Sequence, residues 1–187
     1  MQVLLGAITV KLELPPWTVI VHLGTAMLLL ATLLVAARSV GTWHAVPLPI
    51  VILAFVTVLF GALTANLGAA AACTGFPLCN GQVWPTSAGG ALAHIHWIHR
   101  LLAYALTISA LLWAVRTPPP AGGGGPKVVL TLVLLQVTVG AATVLLGLPA
   151  ALQAAHVAVG AAVWAGVVLA ATAPKTAGPG IASGARM

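Results

Sequence analysis

Histidine and cysteine are the residue types of this chain that could bind a metal or do redox chemistry. The sequence has six histidines and two cysteines among 187 residues. His99 and His156 lie in separate apolar runs, and two imidazoles from separate helices are how membrane cytochromes hold haem iron. The alternative is that each histidine forms a hydrogen bond with a neighbouring helix. Because both lie at a similar depth in their runs, the sequence favours ligation of one iron by both rings.

Two polar residues beside His99 are further candidates. His96 lies three residues before His99, so the two share a helix face. His96 could support His99, contact a substrate or lie at the membrane interface. Arg100 follows His99 directly, and an arginine near a haem edge can pair with a propionate. The alternative for Arg100 is a side chain that extends to the outer membrane interface.

Cys73 and Cys79 form the segment CTGFPLC. Five intervening residues that include Gly and Pro allow the two ends to meet, so the spacing predicts a disulfide that is either structural or redox-active. A zinc site is disfavoured because no other Cys or His pair accompanies them at a recognised spacing.

Transmembrane helices must position these residues, because the composition excludes a soluble protein. Hydrophobic residues make up 61% of the chain and charged residues 4%, against about 25% charged in soluble domains. Nucleic-acid binding is also excluded, since the seven basic residues are scattered. A membrane barrel is excluded because the apolar runs do not alternate. Five runs approach the roughly 20 residues that cross a bilayer: residues 17–37, 47–67, 91–115, 128–146 and 151–173.

The sequence therefore predicts an all-α, polytopic membrane bundle with five full transmembrane helices and a partial helix over residues 1–12. His99 lies about 12 Å and His156 about 9 Å from the same membrane face at 1.5 Å per residue. Basic residues concentrate on the other side, which predicts a multi-pass cell-membrane protein with that side cytoplasmic. The histidine pair and the cysteine segment are then extracytoplasmic. The basic residues are Arg38, Arg116, Lys127, Lys175 and Arg186.

An internal repeat relates the two ends of the chain. Residues 2–26 match residues 136–160 at an offset of 134, with identity at ten of 25 positions. His22 falls on His156 in this alignment. The second copy extends further at its start than the first copy can, so we expect the chain to begin inside a helix. Either the chain is N-terminally incomplete or a partner covers the gap.

Two segments resemble the second half of haem A synthase. They are GALTANLGAAAACTGFPLCNGQVWP…HIHWIHRLL over residues 61–102 and QVTVGAATVLLGLPAALQAAH over residues 136–156. The family combines a C-x5-C loop, a following His-Arg pair and a Gln…Leu-Pro…His segment, and all three occur here in order. The resemblance reaches about residue 172.

The resemblance implies two similar four-helix halves. Residues 1–37 would end the first half and residues 47–173 would form a four-helix half that binds haem b. Residues 38–46 are predicted to be a cytoplasmic linker and residues 174–187 a disordered tail.

The family oxidises a ring methyl of haem O to the formyl of haem A. The resemblance implies that His99 and His156 ligate haem b as electron relay, and that His22 belongs to the substrate-haem side. Expected partners are lipid, haem O, an electron donor and haem O synthase. A His-Arg helix that the first half of the family carries, with an acid before the histidine, has no copy here. A homo-oligomer or a separate N-terminal half could complete the site, and His96 could then act in place of the acid.

Two other functions fit the residues. The first is a non-catalytic membrane b-type cytochrome that transfers electrons or senses redox state. The second is a structural or transport bundle without a cofactor.

Overall fold

The structure is a computed structural model that describes residues 1–37, 47–86, 90–117 and 125–171. Within these ranges it is a bundle of helices, five of them long and apolar enough to cross a membrane. The predicted all-α membrane bundle is therefore confirmed. The helices are α1 (Gln2–Lys11), α2 (Pro16–Ala36), α3 (Leu48–Asn66), α4 (Gly90–Arg116), α5 (Gly125–Leu145) and α6 (Ala150–Ala171), with a short 3-10 helix (Ala69–Ala72) after α3.

Prolines mark the starts of several helices. Pro15 precedes α2 in an extended conformation and Pro16 is its first residue, where the missing N–H of proline costs no hydrogen bond. Helix α5 begins at Gly125, three residues before the predicted start at 128. Its first turn includes Pro126, which is tolerated there for the same reason. The other predicted bounds of spanning helices differ from the observed ones by no more than two residues.

Helices α3 to α6 form a four-helix bundle. Each packs against its sequence neighbours, and α6 also packs against α3, which closes the ring. Helices α4 and α6 thus lie diagonally across the bundle. Helix α2 packs on the outside against α3 and α6, and α1 packs against α2.

The apolar core fills one end of this bundle. Its buried residues come from the start of α3, the end of α4, the start of α5 and the end of α6, which all lie at the same end of an up-and-down bundle. His99 and His156 lie towards the other end. Packing is thus divided into a dry aliphatic end and an end that contains polar side chains. The core residues are Ile50, Ala54, Leu106, Ala110, Val129, Val133, Val163, Trp164, Val167 and Val168.

One tryptophan attaches α2 to the bundle. The Nε1–H of Trp164 on α6 donates a hydrogen bond of 2.7 Å to the backbone carbonyl of Met27 on α2. The same indole contacts the ring of Phe55 on α3, with ring centres 5.3 Å apart. Helix α2 is therefore part of the same packed body as α3 and α6.

The internal repeat is visible as one turn built twice. Leu14 N–H donates to the Thr9 carbonyl at 2.9 Å, and Leu148 N–H donates to the Thr143 carbonyl at 2.8 Å. Leu14 and Leu148 both have positive φ angles, 59° and 63°, which is uncommon for a residue other than glycine. The turns α1–α2 and α5–α6 thus share a conformation that the aligned sequences share.

Some predictions concern other parts of the chain. The linker at 38–46, the tail at 174–187 and the basic residues Arg38, Lys175 and Arg186 lie outside the described residues. The division into two half-repeats and the membrane orientation stay predictions.

Candidate functional site

The polar end of the bundle brings His99 and His156 together. His99 extends from α4 and His156 from α6, the two diagonal helices. Their ring centres are 6.4 Å apart and the ring planes are nearly perpendicular, at 84°. The two imidazoles thus lie close together across the bundle, and their depth in the membrane stays a prediction.

A glycine on the preceding helix lies against each ring. A Cβ added at Gly61 on α3 would lie 3.0 Å from Cε1 of His99, and one at Gly140 on α5 would lie 2.9 Å from Cε1 of His156. Both distances are well inside van der Waals contact, which is about 3.5–4.0 Å between carbons. Only glycine therefore lets these rings pack directly on the neighbouring helix backbone.

Several polar atoms at this end lack partners. The Nδ1 atoms of His99 and His156 are buried without a hydrogen bond, and so is Oε1 of Gln136. Nε2 of Gln136 lies 3.2 Å from Nε2 of His156. Buried polar atoms are usually paired, and a bound group would give these atoms a partner.

The pair fits a haem iron. A ring nitrogen bonded to a metal at about 2 Å places the ring centre about 3 Å from that metal. Two imidazoles on opposite sides of one iron therefore have ring centres about 6 Å apart, close to the observed 6.4 Å. Within the described ranges no group of three or more His, Cys, Asp or Glu could hold a bare ion. Two rings alone suit a metal whose other ligands come from a macrocycle.

His22 repeats part of this arrangement on α2. A Cβ at Gly6 would lie 3.2 Å from Cε1 of His22, and the Nδ1 of His22 is buried without a partner. Gln2 aligns with Gln136, but here its Nε2 donates to the His22 carbonyl at 2.9 Å. The ring contacts of the described residues include none between His22 and a second imidazole. The structure therefore places His22 outside the His99–His156 pair.

His96 has protein partners for both ring nitrogens. Its Nδ1 lies 3.1 Å from the Ala69 carbonyl, and its Nε2 accepts from Nε of Arg100 at 3.3 Å. The side chain is buried, with 5% of its surface exposed. The predicted catalytic role of His96 stays untested, and this geometry leaves neither nitrogen free for a substrate.

Arg100 faces the cysteine segment. Its guanidinium donates to three carbonyl oxygens, at 2.7–2.9 Å, and to His96. The residue is 6% exposed, so its side chain is enclosed by protein. A guanidinium has five N–H donors, and four hydrogen bonds leave it little capacity for the propionate pairing that the sequence suggested. The carbonyls belong to Cys73, Gly75 and Leu78.

Cys73 and Cys79 form a disulfide, with Cα atoms 4.8 Å apart. Both are fully buried, in a cluster with Ala93 and Trp97 on α4. His94, by contrast, bonds within its own helix to the Gly90 carbonyl. The predicted pairing of the cysteines is thus present in the structure.

Sequence reasoning did not identify Gly61, Gly140 and Gln136 as site residues. The glycines are hidden in a chain with 20 glycines, so composition gives no signal. The internal repeat did contain a signal for two of these residues. Gly6 and Gly140 are identical positions in it, and so are Gln2 and Gln136.

Fold and site together define a polytopic membrane protein with a histidine pair spaced for a haem iron. The family described as cytochrome oxidase assembly protein matches residues 1–168. A relative named haem A synthase, from Neorickettsia sennetsu, is 28% identical over 152 residues, covering 72% of this chain and 47% of the relative. The chain belongs to the haem A synthase family. It spans about half the length of that curated relative.

Proposed function

We propose that this chain acts in haem A synthesis as the part that binds haem b. The observation that carries the proposal is the pair His99 and His156, with ring centres 6.4 Å apart on diagonal helices. Family membership supports a role in haem A formation. The ring spacing supports iron ligation, and the two lines of evidence are independent.

The proposed reaction converts a ring methyl of haem O to a formyl group. Two successive monooxygenations balance it: each consumes one dioxygen, two electrons and two protons and releases one water. The first yields a hydroxymethyl group, and the second yields a hydrate that loses a further water to give the aldehyde. An electron donor must therefore deliver four electrons per haem A. Bound haem b would supply one-electron transfer between that donor and the substrate side.

The chain's own residues would bind and orient the cofactor. His99 and His156 would ligate the iron through one ring nitrogen each. Gly61 and Gly140 would allow these ring positions, because a Cβ at either residue would collide with the ring. Gln136 would hold the ring of His156 through its side-chain amide, in the way that outer-shell groups orient metal-ligating histidines.

The substrate haem would lie on the side of α1 and α2. His22 has the glycine contact and the unpartnered Nδ1 that His156 has, but it has no opposing imidazole among the described residues. We propose that a second copy of the chain or a separate N-terminal half supplies the rest of that site. Haem O synthase would deliver the substrate, and the histidine pair and cysteine loop would face the extracytoplasmic side.

Haem extraction from a host that makes haem O but no haem A tests this function. The full chain is expressed there alone, and haems are separated and identified by mass. The proposal expects haem A in the cells with the wild-type chain and none with His99→Ala. A matched control is His94→Ala, since the hydrogen bond of His94 lies within its own helix and its ring contacts Trp84 and neither His99 nor His156. This variant should leave haem A formation intact. Haem A absent from wild-type cells, under conditions where the purified chain contains haem b, would refute catalysis by this chain alone.

A second candidate is a membrane b-type cytochrome without catalytic activity. The unpaired ring of His22 favours it, because a substrate site would have only part of its ligands. Its signature is a stable bis-histidine haem b spectrum in a chain that forms no haem A even when a first-half protein is co-expressed. Purified protein without any haem would instead indicate a bundle that needs no cofactor.

A further inference from the structure

The loop between the two cysteines folds back over α4. We call Cys73–Cys79 the cysteine loop. Its disulfide packs with Ala93 and Trp97, and the Pro77 carbonyl accepts a hydrogen bond of 2.6 Å from the hydroxyl of Tyr104. These contacts span three turns of α4, so the loop lies along one face of the helix that carries His99.

Arg100 is the polar centre of this contact. It donates to the carbonyls of Cys73, Gly75 and Leu78 at 2.7, 2.9 and 2.9 Å. Glu13, the chain's one acidic side chain, lies in the α1–α2 turn, and within the described residues the hydrogen bonds of Arg100 go to carbonyls and to His96. Carbonyl dipoles of one short loop therefore solvate a buried cation, which ties the loop conformation to the position of Arg100.

His96 extends the same network to the end of α3. Arg100 Nε–H donates to His96 Nε2, which assigns the proton of the neutral ring to Nδ1. That Nδ1–H then donates to the carbonyl of Ala69, the first residue of the 3-10 helix after α3. Hydrogen bonds through Arg100 and His96 thus join the cysteine loop, α4 and the end of α3, in addition to the bond from Tyr104 to Pro77.

The loop is shaped so that its carbonyls point inward. Besides the disulfide, the side chain of Asn80 accepts from the N–H and the hydroxyl of Thr74, both at 2.8 Å. Its Nδ2 donates to the Ala72 carbonyl at 3.1 Å. Asn80 and the disulfide therefore hold the loop in the form that fits the guanidinium.

We propose that Arg100 is a positioning residue: it holds the cysteine loop against α4 and, with His96, fixes the rotation of α4 that aims His99 at His156. His99 lies between these two residues in sequence, so the partners of Arg100 and His96 restrain the helix turn that bears it. That this rotation positions an iron ligand rests on the proposed function, whereas the attachment of the loop to α4 does not.

The first test measures the loop without reference to haem. Full-length protein is exposed to a membrane-impermeant phosphine, and reduced cysteines are trapped with a mass-tagged maleimide over time. Because both sulfurs are buried, the wild-type disulfide should react slowly. Arg100→Gln has too few N–H donors to bond all three carbonyls. It should therefore speed reduction of the disulfide by roughly tenfold or more, because the loop opens locally more often. Arg100→Lys keeps the charge but not the planar, five-donor geometry. Its reduction rate should lie between those of wild type and Arg100→Gln.

Arg116→Lys is the matched control, since Arg116 is an exposed arginine at the other end of α4. It should react at the wild-type rate. An Arg100→Gln reduction rate equal to that of wild type would overturn the proposed attachment. Arg100→Lys also guards against misfolding of the neutral variant, because a buried charge is retained.

The second test reads the ligand. Arg100→Gln and Cys73→Ser/Cys79→Ser should both change the low-spin ferric signal and midpoint potential of bound haem, and the combined variant should change them no further than Arg100→Gln alone. A changed haem signal with an unchanged rate of disulfide reduction would show that Arg100 contacts the haem directly, and would refute the proposal. An opened loop with an unchanged haem signal would refute the part that concerns His99. If the wild-type chain binds no haem, the proposed function fails, whereas the reduction rates still decide whether Arg100 holds the loop.

Discussion

A methyl group added at position 140 would collide with His156. In Gly140→Ala the new Cβ would lie 2.9 Å from Cε1 of the ring, so the ring must move by about 0.6 Å to reach ordinary contact at about 3.5 Å. Metal–ligand distances tolerate only about 0.2 Å. The variant should therefore bind haem more weakly, because the ring can no longer occupy its present position.

The size of the effect follows from the cost of overpacking. Inserting a methyl into a filled site costs about 1–3 kcal/mol, which corresponds to a roughly 5- to 150-fold loss of haem affinity. The helix itself should form as readily, because alanine is favoured over glycine in a helix interior by about 1 kcal/mol. Gly61→Ala, with 3.0 Å to His99, should behave alike.

Titration of haem into purified apoprotein, followed by the Soret absorbance, measures the affinity. Gly24→Ala is the matched control, since its Cβ would lie 3.3 Å from a terminal methyl of Leu59 and 3.8 Å from Cζ of Phe55, and would touch no histidine. It should bind haem as wild type does. Equal haem affinity in Gly140→Ala and wild type would show that the glycine contact does not position the ligand.

Three further variants test separate parts of the structure. His22→Ala should keep the haem b spectrum and lower haem A formation by roughly tenfold or more. Loss of haem b in this variant would show that His22 belongs to the haem b site and not to the substrate side. Gly147→Ala should lower the free energy of unfolding in mixed micelles by about 1–2 kcal/mol, because φ is 75° there while no atom lies within 4 Å of the added Cβ; an unchanged stability would argue against the turn conformation. Trp164→Phe should lower that free energy by about 1 kcal/mol, since it loses the bond to Met27 and keeps a ring beside Phe55; a loss of several kcal/mol would mean that packing dominates.

The spanning helices could be predicted because hydropathy and proline determine them. In lipid every backbone group must bond within its helix, so long apolar runs between prolines leave few choices. The pairing of His99 and His156 could also be predicted, since a similar depth on two helices is readable from residue counts. Their diagonal arrangement and nearly perpendicular rings depend on helix packing, which a single sequence does not contain.

The role of Arg100 could not be read from the sequence. An arginine beside a candidate ligand histidine suggested pairing with a propionate or extension to the membrane interface, because arginines commonly do both. Its actual partners are loop carbonyls 22 to 27 residues away, and a loop that folds back over a helix leaves no periodic signal. The contacts of Gly61 and Gly140 were likewise hidden, because small residues are frequent throughout the chain.

Electron paramagnetic resonance of the purified ferric protein tests the central claim most directly. Two imidazoles in nearly perpendicular planes on one iron should give a strongly anisotropic low-spin signal. We expect this signal in the wild-type chain and in His94→Ala, and its loss in both His99→Ala and His156→Ala. A low-spin signal that survives either of the last two substitutions would contradict ligation of one iron by this pair.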